Sequence, residues 1–540
     1  MIRISQLKLK INHTEADLKV KILKSLHLKE DALLSYDIKK HSIDARKKPE
    51  LSFVYTVDVS VKNENKIIKK IKDKNITIVQ SKEYKLPESG IEILEHRPVV
   101  VGSGPAGLFC AYMLALKGYA PILIERGMPV EQRIKDVESF WNGSGLKKES
   151  NVQFGEGGAG TFSDGKLNTL VKDVYGRNTK VLEIFTEHGA PKDIMYVNKP
   201  HIGTDVLVDV VKNIREHIIK AGGDVLFHTK LIKIITDKQS VKGIIVEDTT
   251  NGEHKEIMSN NVILAIGHSA RDTFQMLFDS KISMEAKAFA VGVRVEHPQT
   301  MINLSQYGID KSEYLQAAAY KLTEQLDNGR GVYTFCMCPG GYVVNASSEE
   351  NRLAVNGMSY HDRAGKNANS AVIVTVTPDD YGYENALSGV EFQRRLEEKA
   401  YQAGKGKVPV QLFEDFCNNR ISTKFGEIEP QIKGAYAFGN VREIFTEDIA
   451  RSIENGIKAF DKKITGYARK DAVLAGVESR TSSPIRILRD ETLQSSVKGL
   501  YPCGEGAGYA GGITSAAMDG IKVAEAIIKK YAPFDMHAND

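Results

Sequence analysis

The stretch Pro98-Val99-Val100-Val101-Gly102-Ser103-Gly104-Pro105-Ala106-Gly107 decides the fold of the largest part of this 540-residue chain. A short apolar strand runs into glycines spaced Gly-x-Gly-x-x-Gly, and an apolar helix follows. In that context the first glycine permits a tight turn, the second lets the backbone approach a pyrophosphate, and the third lets helix and strand pack closely. Free N–H groups at the helix start attract the phosphates. The predicted phosphate-binding residues are Gly102, Ser103, Gly104, Pro105, Ala106 and Gly107.

The next strand, Pro121 to Ile124, completes a β-α-β unit and is followed by Glu125 and Arg126. Glu125 stands about twenty residues beyond the turn, where a carboxylate accepts both hydroxyls of an adenosine ribose and repels a 2′-phosphate. The sequence therefore predicts a parallel nucleotide-binding sheet with Glu125 at the ribose and Arg126 as a further cofactor-binding residue.

A second glycine-rich loop, Phe154 to Lys166, has enough small residues for its backbone to lie against a bound cofactor. A mobile surface turn is the alternative, because glycine loops often serve that purpose. The residues expected at the cofactor are Gly157, Gly158, Ala159, Gly160 and Thr161.

A third element near the carboxyl end, Leu500 to Ala517, contains Gly504-Glu505 and Gly511-Gly512-Ile513. Together with the first glycine turn, Glu125 and the apolar strand ending at Ile266-Gly267, it resembles the glutathione-reductase-type FAD superfamily. More narrowly, nearly the whole chain is similar to a family of bacterial proteins described as FAD-dependent dehydrogenases.

That resemblance implies FAD as cofactor and an α/β fold in which a substrate domain interrupts the nucleotide domain. Glu505 stands where the superfamily usually has an aspartate on the flavin ribityl chain, and it is longer by one methylene. Gly511, Gly512 and Ile513 would begin a helix directed at the flavin ring, where its positive end stabilises reduced flavin. The backbone of Leu231 would meet the adenine, and Ile266 and Gly267 would end the cofactor strand.

Three units are expected from the changes of pattern along the chain. Residues 1–93 alternate strand and helix periods in the order β-α-β-β-α-β, which is typical of a ferredoxin-like α+β domain. Residues 94–283 and 476–540 would form the discontinuous Rossmann-type FAD-binding domain, and residues 284–475 an inserted α+β substrate or cap domain. Boundaries read from sequence carry errors of several residues.

The net charge of +4 is unevenly distributed, because residues 1–97 hold 21 Lys and Arg against 14 Asp and Glu. This basic surplus motivates a second hypothesis, an RNA-modifying flavoprotein that docks through its front domain. Phe53 and Tyr55 weaken it, since they share the apolar face of the strand Leu51 to Val61 and read as core. A non-catalytic FAD-binding protein is a third hypothesis.

Composition favours a cytoplasmic protein that does not enter the membrane. The longest nearly unbroken apolar stretch, Ala106 to Leu116, is far shorter than the roughly 17 to 25 residues of a membrane-spanning helix. The amino terminus lacks a secretory signal pattern. Five cysteines, an odd number without zinc-ligand spacing, suit a reducing compartment and predict neither a disulfide framework nor a metal site.

The expected reaction is hydride transfer between flavin and a small organic substrate. The absence of a second Gly-x-Gly-x-x-Gly unit argues against a stable NAD(P) domain and leaves transient NAD(P)H binding open. Cys336 and Cys338 are expected to share one face of a strand, as packing or as weak candidates for a thiol relay. The histidines His201, His268, His297 and His361 lack ligand spacing. Candidates for contact with an acidic ligand, or for surface positions, are Arg294, Tyr333, Arg352 and Arg363.

Overall fold

The front of the chain forms a four-stranded antiparallel sheet covered by one long helix. The computed structural model describes residues 1–80 and 83–535, so predicted ranges that include residues 81–82 or 536–540 extend beyond the described residues there. The strand order is β2-β3-β1-β4, and the predicted β-α-β-β-α-β sequence of elements is present. The elements are β1 (Ile2–Lys10), α1 (Glu15–Leu26), a 3-10 turn (Glu30–Ala32), β2 (Leu33–Asp44), β3 (Ser52–Val61), α2 (Glu64–Ile68) and β4 (Ile76–Ile78).

The core of this front unit follows from the alternation in β3. Phe53, Tyr55 and Val57 are all buried, and they belong to one apolar cluster with Leu18 and Ile22 of α1. The two aromatic rings are therefore core residues and do not form an exposed stacking platform.

The second part contains the predicted β-α-β unit, followed by helices and a three-stranded meander in the order β10-β9-β8. Apolar strands without alternation suit a parallel sheet buried on both faces. The elements are β5 (Val99–Val101), α3 (Pro105–Leu116), β6 (Ile122–Ile124), α4 (Val130–Trp141), 3-10 turns (Gly158–Phe162 and Lys192–Met195), α5 (Arg177–Glu187), α6 (Thr204–Lys220), β7 (Asp224–Leu226), β8 (Thr229–Asp237), β9 (Ser240–Asp248), β10 (His254–Met258), β11 (Val262–Leu264) and α7 (Arg271–Asp279).

The third part is built on a seven-stranded mixed sheet in the order β14-β15-β18-β13-β22-β19-β21, with the largest apolar cluster of the described chain against it. The elements are β12 (Met284–Ala286), β13 (Phe289–Pro298), α8 (Gln299–Tyr307), β14 (Thr323–Gln325), β15 (Gly331–Cys338), β16 (Tyr342–Asn345), β17 (Val355–Met358), β18 (Asn367–Val376), α9 (Pro378–Tyr381), α10 (Ser388–Ala403), β19 (Val408–Leu412), α11 (Phe413–Cys417), β20 (Ile432–Lys433), β21 (Tyr436–Phe438), a 3-10 turn (Arg442–Ile444), α12 (Glu447–Asp461) and β22 (Val473–Glu478).

The boundary predicted after residue 475 falls inside a strand of this sheet. β22 runs on to Glu478 and pairs with β13 through that residue. The third part, called the insert below, therefore extends in the strand pairing as far as Glu478, beyond the boundary expected from the sequence pattern. A short ribbon of β12 with the strand at 485–487 joins the insert to the rest of the chain.

The carboxyl-terminal segment returns to the parallel sheet. It supplies β23 (Ile485–Ile487), β24 (Leu500–Pro502) and α13 (Ile513–Lys530). β24 pairs in parallel with β11, giving the five-stranded order β24-β11-β5-β6-β7. Residues from opposite ends of the chain thus meet where the strands β5 and β24 end.

Candidate functional site

The first glycine turn leaves the start of α3 open. Gly102 has a φ of +98°, which favours glycine, and Gly104 precedes the helix without any side-chain hydrogen bond capping it. A Cβ on Gly107 would lie 1.8 Å from the Gly102 carbonyl oxygen, so this third glycine is required by helix packing. The helix start therefore keeps unpaired N–H groups that suit a phosphate.

Glu125 binds the two glycine loops together. The Ser103 N–H and hydroxyl donate to its Oε2 at 2.9 and 2.7 Å, and the N–H groups of Gly127 and Gly155 donate to its Oε1 at 2.9 and 3.1 Å. A carboxylate offers about four lone-pair positions, and protein donors fill them here. Glu125 lies on the cavity described below, and in this arrangement it organises the site from within the protein.

The second glycine loop is held by Arg133, a residue that no sequence pattern singled out. Its guanidinium is fully buried and donates to the carbonyl oxygens of five residues. Burial lowers the pKa of Arg133 to about 10. Because a buried cation must be satisfied by acceptors, these bonds fix the path of the loop. The five acceptor residues are Asn151, Val152, Gly155, Glu156 and Gly158.

The loop so held presses against the first turn. A Cβ on Gly158 would lie 3.0 Å from the Gly104 Cα, and one on Gly160 would lie 3.0 Å from the side chain of Ile513. The three predicted glycine elements are therefore neighbours in space, although more than 400 residues separate the first from the last.

The third element places a helix start and an acid at the same place. Gly512 precedes α13 without a side-chain cap, and the Gly504 N–H donates to Asp519 Oδ2 at 2.8 Å. Glu505 Oε1 lies 3.1 Å from Nδ1 of His268, the residue after Gly267; β11, predicted to end at Gly267, ends at Leu264. Sequence reasoning named both residues but not their pairing.

A single large cavity of about 1570 Å³ connects these elements. It runs past the first glycine turn, Leu231 and the start of α13, and it continues to the insert at β15 and to the front unit at β2. Ligand pockets commonly measure roughly 300 to 1,000 Å³, so this cavity has room for a long cofactor and a second molecule.

Most of the predicted cofactor residues line this cavity. Those that do are Gly102, Gly104, Pro105, Ala106, Glu125, Arg126, Gly158, Ala159, Gly160, Leu231, Ile266, Gly267, Glu505, Gly511, Gly512 and Ile513.

Five predicted cofactor residues lie behind the cavity wall. Ser103 is fully buried on Glu125, Gly107 packs on Gly102, and Gly504 packs against Ala106. Gly157 and Thr161 are in contact with each other, and the Thr161 hydroxyl, expected to be a donor at the cofactor, is buried beside a small separate void. These five residues shape the loops and do not face the cavity.

Cys336 and Cys338 do not share one face of a regular strand, contrary to the sequence expectation. β15 contains an extra residue between Phe335 and Cys338, and Cys336 has a φ of +40°. Buried Arg294 donates to the Cys336 carbonyl oxygen at 2.8 Å and holds this bulge. The Cys336 side chain opens into the cavity while Cys338 is buried. Desolvation by the surrounding cavity walls raises the pKa of the Cys336 thiol, although its side chain is exposed to the cavity.

Of the four residues expected to contact an acidic ligand, Arg363 lines the cavity and the other three do not. Arg294 is buried on Glu478 at 2.8 Å, Arg352 pairs with Glu398 on the insert, and Tyr333 packs within the insert sheet. Lys166 and Lys199 also line the cavity, and sequence reasoning assigned neither a role.

The histidines serve different neighbours. His297 is buried with Nε2 at 2.7 Å from the Tyr467 carbonyl oxygen, and His201 stacks on His361 with ring centroids 5.3 Å apart. Within residues 1–80 and 83–535 no cluster of metal ligands occurs. No helix in that part of the chain is long and apolar enough to cross a membrane.

Comparison with known families identifies two segments. Residues 288–481 match a family described as "FAD-dependent protein, C-terminal domain-like", and residues 1–60 match a domain of unknown function. The first match covers most of the insert.

Among solved structures, the chain is distantly similar to a Bacillus halodurans glycerol-3-phosphate dehydrogenase complexed with FAD. The TM-score is 0.36 at 12% identity, covering 82% of this chain and 65% of that one. A geranylgeranyl bacteriochlorophyll reductase-like protein from Thermoplasma acidophilum gives a TM-score of 0.35 at 12% identity, covering 81% and 78%. Likeness at this level carries no argument about chemistry.

A full-length relative is much closer. A Clostridium beijerinckii protein described as uncharacterized is 50% identical over 535 residues, which are 98% of this chain and 99% of that protein. The chain therefore belongs to the same family as this Clostridium beijerinckii protein.

Proposed function

We propose that the protein is an FAD-dependent oxidoreductase that exchanges hydride between flavin N5 and a small organic substrate held between the nucleotide-binding unit and the insert. The observation that carries this proposal is the continuous cavity. It joins an open glycine turn at Gly104, a helix start at Gly512 and the insert wall at Cys336. The match of the insert to an FAD-dependent protein family supports the same cofactor.

The residues present fit FAD. Gly102, Gly104 and Ala106 line the cavity at the open start of α3 and would hold the pyrophosphate. Leu231 would meet the adenine, and Gly512 with Ile513 would face the flavin. When bound, FAD supplies the two-electron chemistry, and the protein supplies binding and orientation.

The acid and the imidazole beside the helix start have a positioning role in this proposal. Glu505 is a quarter exposed toward the cavity and is held by His268. A carboxylate fixed in this way accepts hydrogen bonds from the hydroxyls of a ribityl chain. The start of α13 adds the positive end of an 18-residue helix, which favours negative charge at its end.

Thiol chemistry is not part of the proposal. The thiolate is the reactive form of cysteine, and desolvation of the Cys336 thiol raises its pKa and so disfavours that form. In this proposal Cys336 forms part of the cavity wall.

The RNA-docking hypothesis is less well supported than the oxidoreductase. The front unit buries Phe53 and Tyr55 in its core. Its edge strand β2 is bonded to the nucleotide-binding unit, since the His41 N–H donates to the Tyr196 carbonyl oxygen at 2.7 Å. That face of the unit is used within the chain.

The test is an anaerobic titration of the purified protein with NADH and then NADPH, followed by the visible absorbance of the flavin. Bleaching by one nucleotide supports a working flavin centre that accepts electrons from a transiently bound nicotinamide. If the protein is yellow and none of the organic electron donors that are tested bleaches its flavin, the result supports the non-catalytic alternative. A protein that stays colourless after incubation with FAD refutes the proposal.

A further inference from the structure

Three chain segments meet on one side of the cavity, and each brings a cation. The backbones of Lys166 and His201 form a β-bridge, and the Ile202 N–H donates to the Gly165 carbonyl oxygen at 3.0 Å. His361 Nδ1 lies 2.8 Å from the Ile202 carbonyl oxygen. Lys166, Lys199 and Arg363 are among the residues that line the cavity beside this junction.

The protein neutralises only part of this charge. Arg363 forms two hydrogen bonds with Asp164, at 3.0 and 2.5 Å. The Lys166 Nζ is buried, has no hydrogen-bond partner among the residues that the structure describes, and lies 3.5 Å from the same carboxylate. The pKa of Lys199 is lowered by burial and by the positive charges of Lys166 and Arg363. One carboxylate therefore faces two cations, and Lys199 adds a third positive charge nearby. A buried ammonium without an acceptor is costly unless a ligand supplies one.

This cluster, defined as Lys166, Lys199 and Arg363, lies close to the start of α13. The Thr514 hydroxyl donates to the carbonyl oxygen of Leu167 at 2.8 Å, one residue beyond Lys166. The cluster also faces apolar walls, because Tyr307 and Phe335 line the same cavity. An anion held here would place its apolar remainder beside the place assigned to the flavin.

We propose that Lys166, Lys199 and Arg363 bind the anionic group, carboxylate or phosphate, of an organic substrate in the cavity. The inference rests on the proposed function for the identity of this molecule as a substrate, but the anion site itself is defined by the three cations. Lys166 supplies donors that no atom of the described chain accepts. Lys199 adds charge, and Arg363 is kept in place by Asp164. A neutral molecule of the same shape gains none of these interactions.

Calorimetric titration of the purified protein tests the site with benzoate, its neutral counterpart benzamide, and inorganic phosphate. We expect benzoate or phosphate to bind at least roughly tenfold more tightly than benzamide, since a hydrogen bond to a charged group is worth about a factor of ten or more. If phosphate binds and benzoate does not, the substrate class is a phosphate ester; the reverse result indicates a carboxylic acid. Equal binding of benzoate and benzamide, with no binding of phosphate, overturns the inference.

Variants locate the binding. Lys166→Met and Lys199→Met should each weaken anion binding roughly tenfold, Lys166→Arg should retain most of it, and Lys135→Met, at an exposed lysine outside the cavity, should not change it. Thermal unfolding identifies a methionine variant that fails to fold. If one of the two variants fails to fold, the anion affinity of the other variant tests the assignment. Anion binding that is unchanged in both methionine variants overturns the assignment, even where Lys166→Met alters the flavin spectrum.

Flavin absorbance of the same samples separates the two proposals. A protein that takes up no FAD but loses anion binding in Lys166→Met refutes the proposed function and keeps the anion site. A yellow protein that does not discriminate benzoate from benzamide keeps the function and refutes the anion site.

Discussion

Replacement of Gly104 by alanine separates cofactor binding from folding. The Gly104 φ of −70° is open to any residue, and the nearest atom to an added Cβ is the Gly158 Cα at 3.8 Å, an ordinary contact. Alanine at this helix-capping position costs about 1 kcal/mol, and the smaller entropy of the unfolded chain returns roughly 0.4 to 1 kcal/mol. The stability of the FAD-free protein should therefore change by less than about 1 kcal/mol.

The effect on FAD should be much larger. The added methyl group lies where the backbone must approach the pyrophosphate, so one charged hydrogen bond, worth about 1.5 to 3 kcal/mol, is lost or stretched. We expect FAD affinity to fall roughly tenfold to a hundredfold. The assay pairs thermal unfolding of the FAD-free protein with quenching of FAD fluorescence on binding.

Gly107→Ala is the matched control. Its Cβ would lie 1.8 Å from the Gly102 carbonyl oxygen, so this variant should lose stability even without FAD. Unchanged FAD affinity in Gly104→Ala would show that the pyrophosphate does not lie over this turn and would refute the reasoning.

Three further substitutions test other parts of the site and the insert. Arg133→Met removes the buried guanidinium that donates to five carbonyl groups and should cost roughly 3 to 5 kcal/mol in urea unfolding, with loss of FAD; unchanged stability would contradict its role. Burial raises the pKa of Glu296 to about 7 from 4.5, so the folded state holds this proton more tightly and stability falls as pH rises between those values. Glu296→Gln has no carboxylate to ionise, so its stability should not fall in this way. Between pH 5 and 8 its free energy of unfolding should rise relative to that of the wild type by roughly 3 kcal/mol. Curves of melting temperature against pH that run parallel for the two proteins would contradict this expectation. Cys336→Ser should keep flavin reduction within about twofold, and a large loss would indicate thiol chemistry.

The cofactor side of the site could be read from sequence because its signals are local. Gly102, Gly104 and Gly107 lie in one turn, and the strand and helix on either side follow from short apolar runs. Glu125 could be placed for the same reason, at the end of the next strand. The local signal did not show that protein donors occupy its oxygens, since two of them come from Gly127 and Gly155.

Other features depend on contacts that no local pattern contains. Arg133 looks like one more polar residue of an amphipathic helix, and its importance comes from carbonyl groups about twenty residues further along the chain. The bulge at Cys336 adds one residue to a strand without changing its composition, so alternation placed both cysteines on one face. Lys166, Lys199 and Arg363 converge only through backbone pairing between distant segments.

The front unit shows why the substrate was harder to predict than the cofactor. Its basic charge and independent strand order indicate a separate module, yet His41 on β2 exchanges hydrogen bonds with Tyr196 and Asn198, at 2.7 and 2.8 Å. This pairing occupies an edge strand that would otherwise present open N–H and carbonyl groups. His41 and Phe53 then line the same cavity as the cations. The end of the cavity that our proposal assigns to the cofactor is lined by the part of the chain that carries the glycine turns, whereas the opposite end is lined by the front unit and the insert as well. On that proposal, we expect the specificity of the protein to depend on how these parts pack.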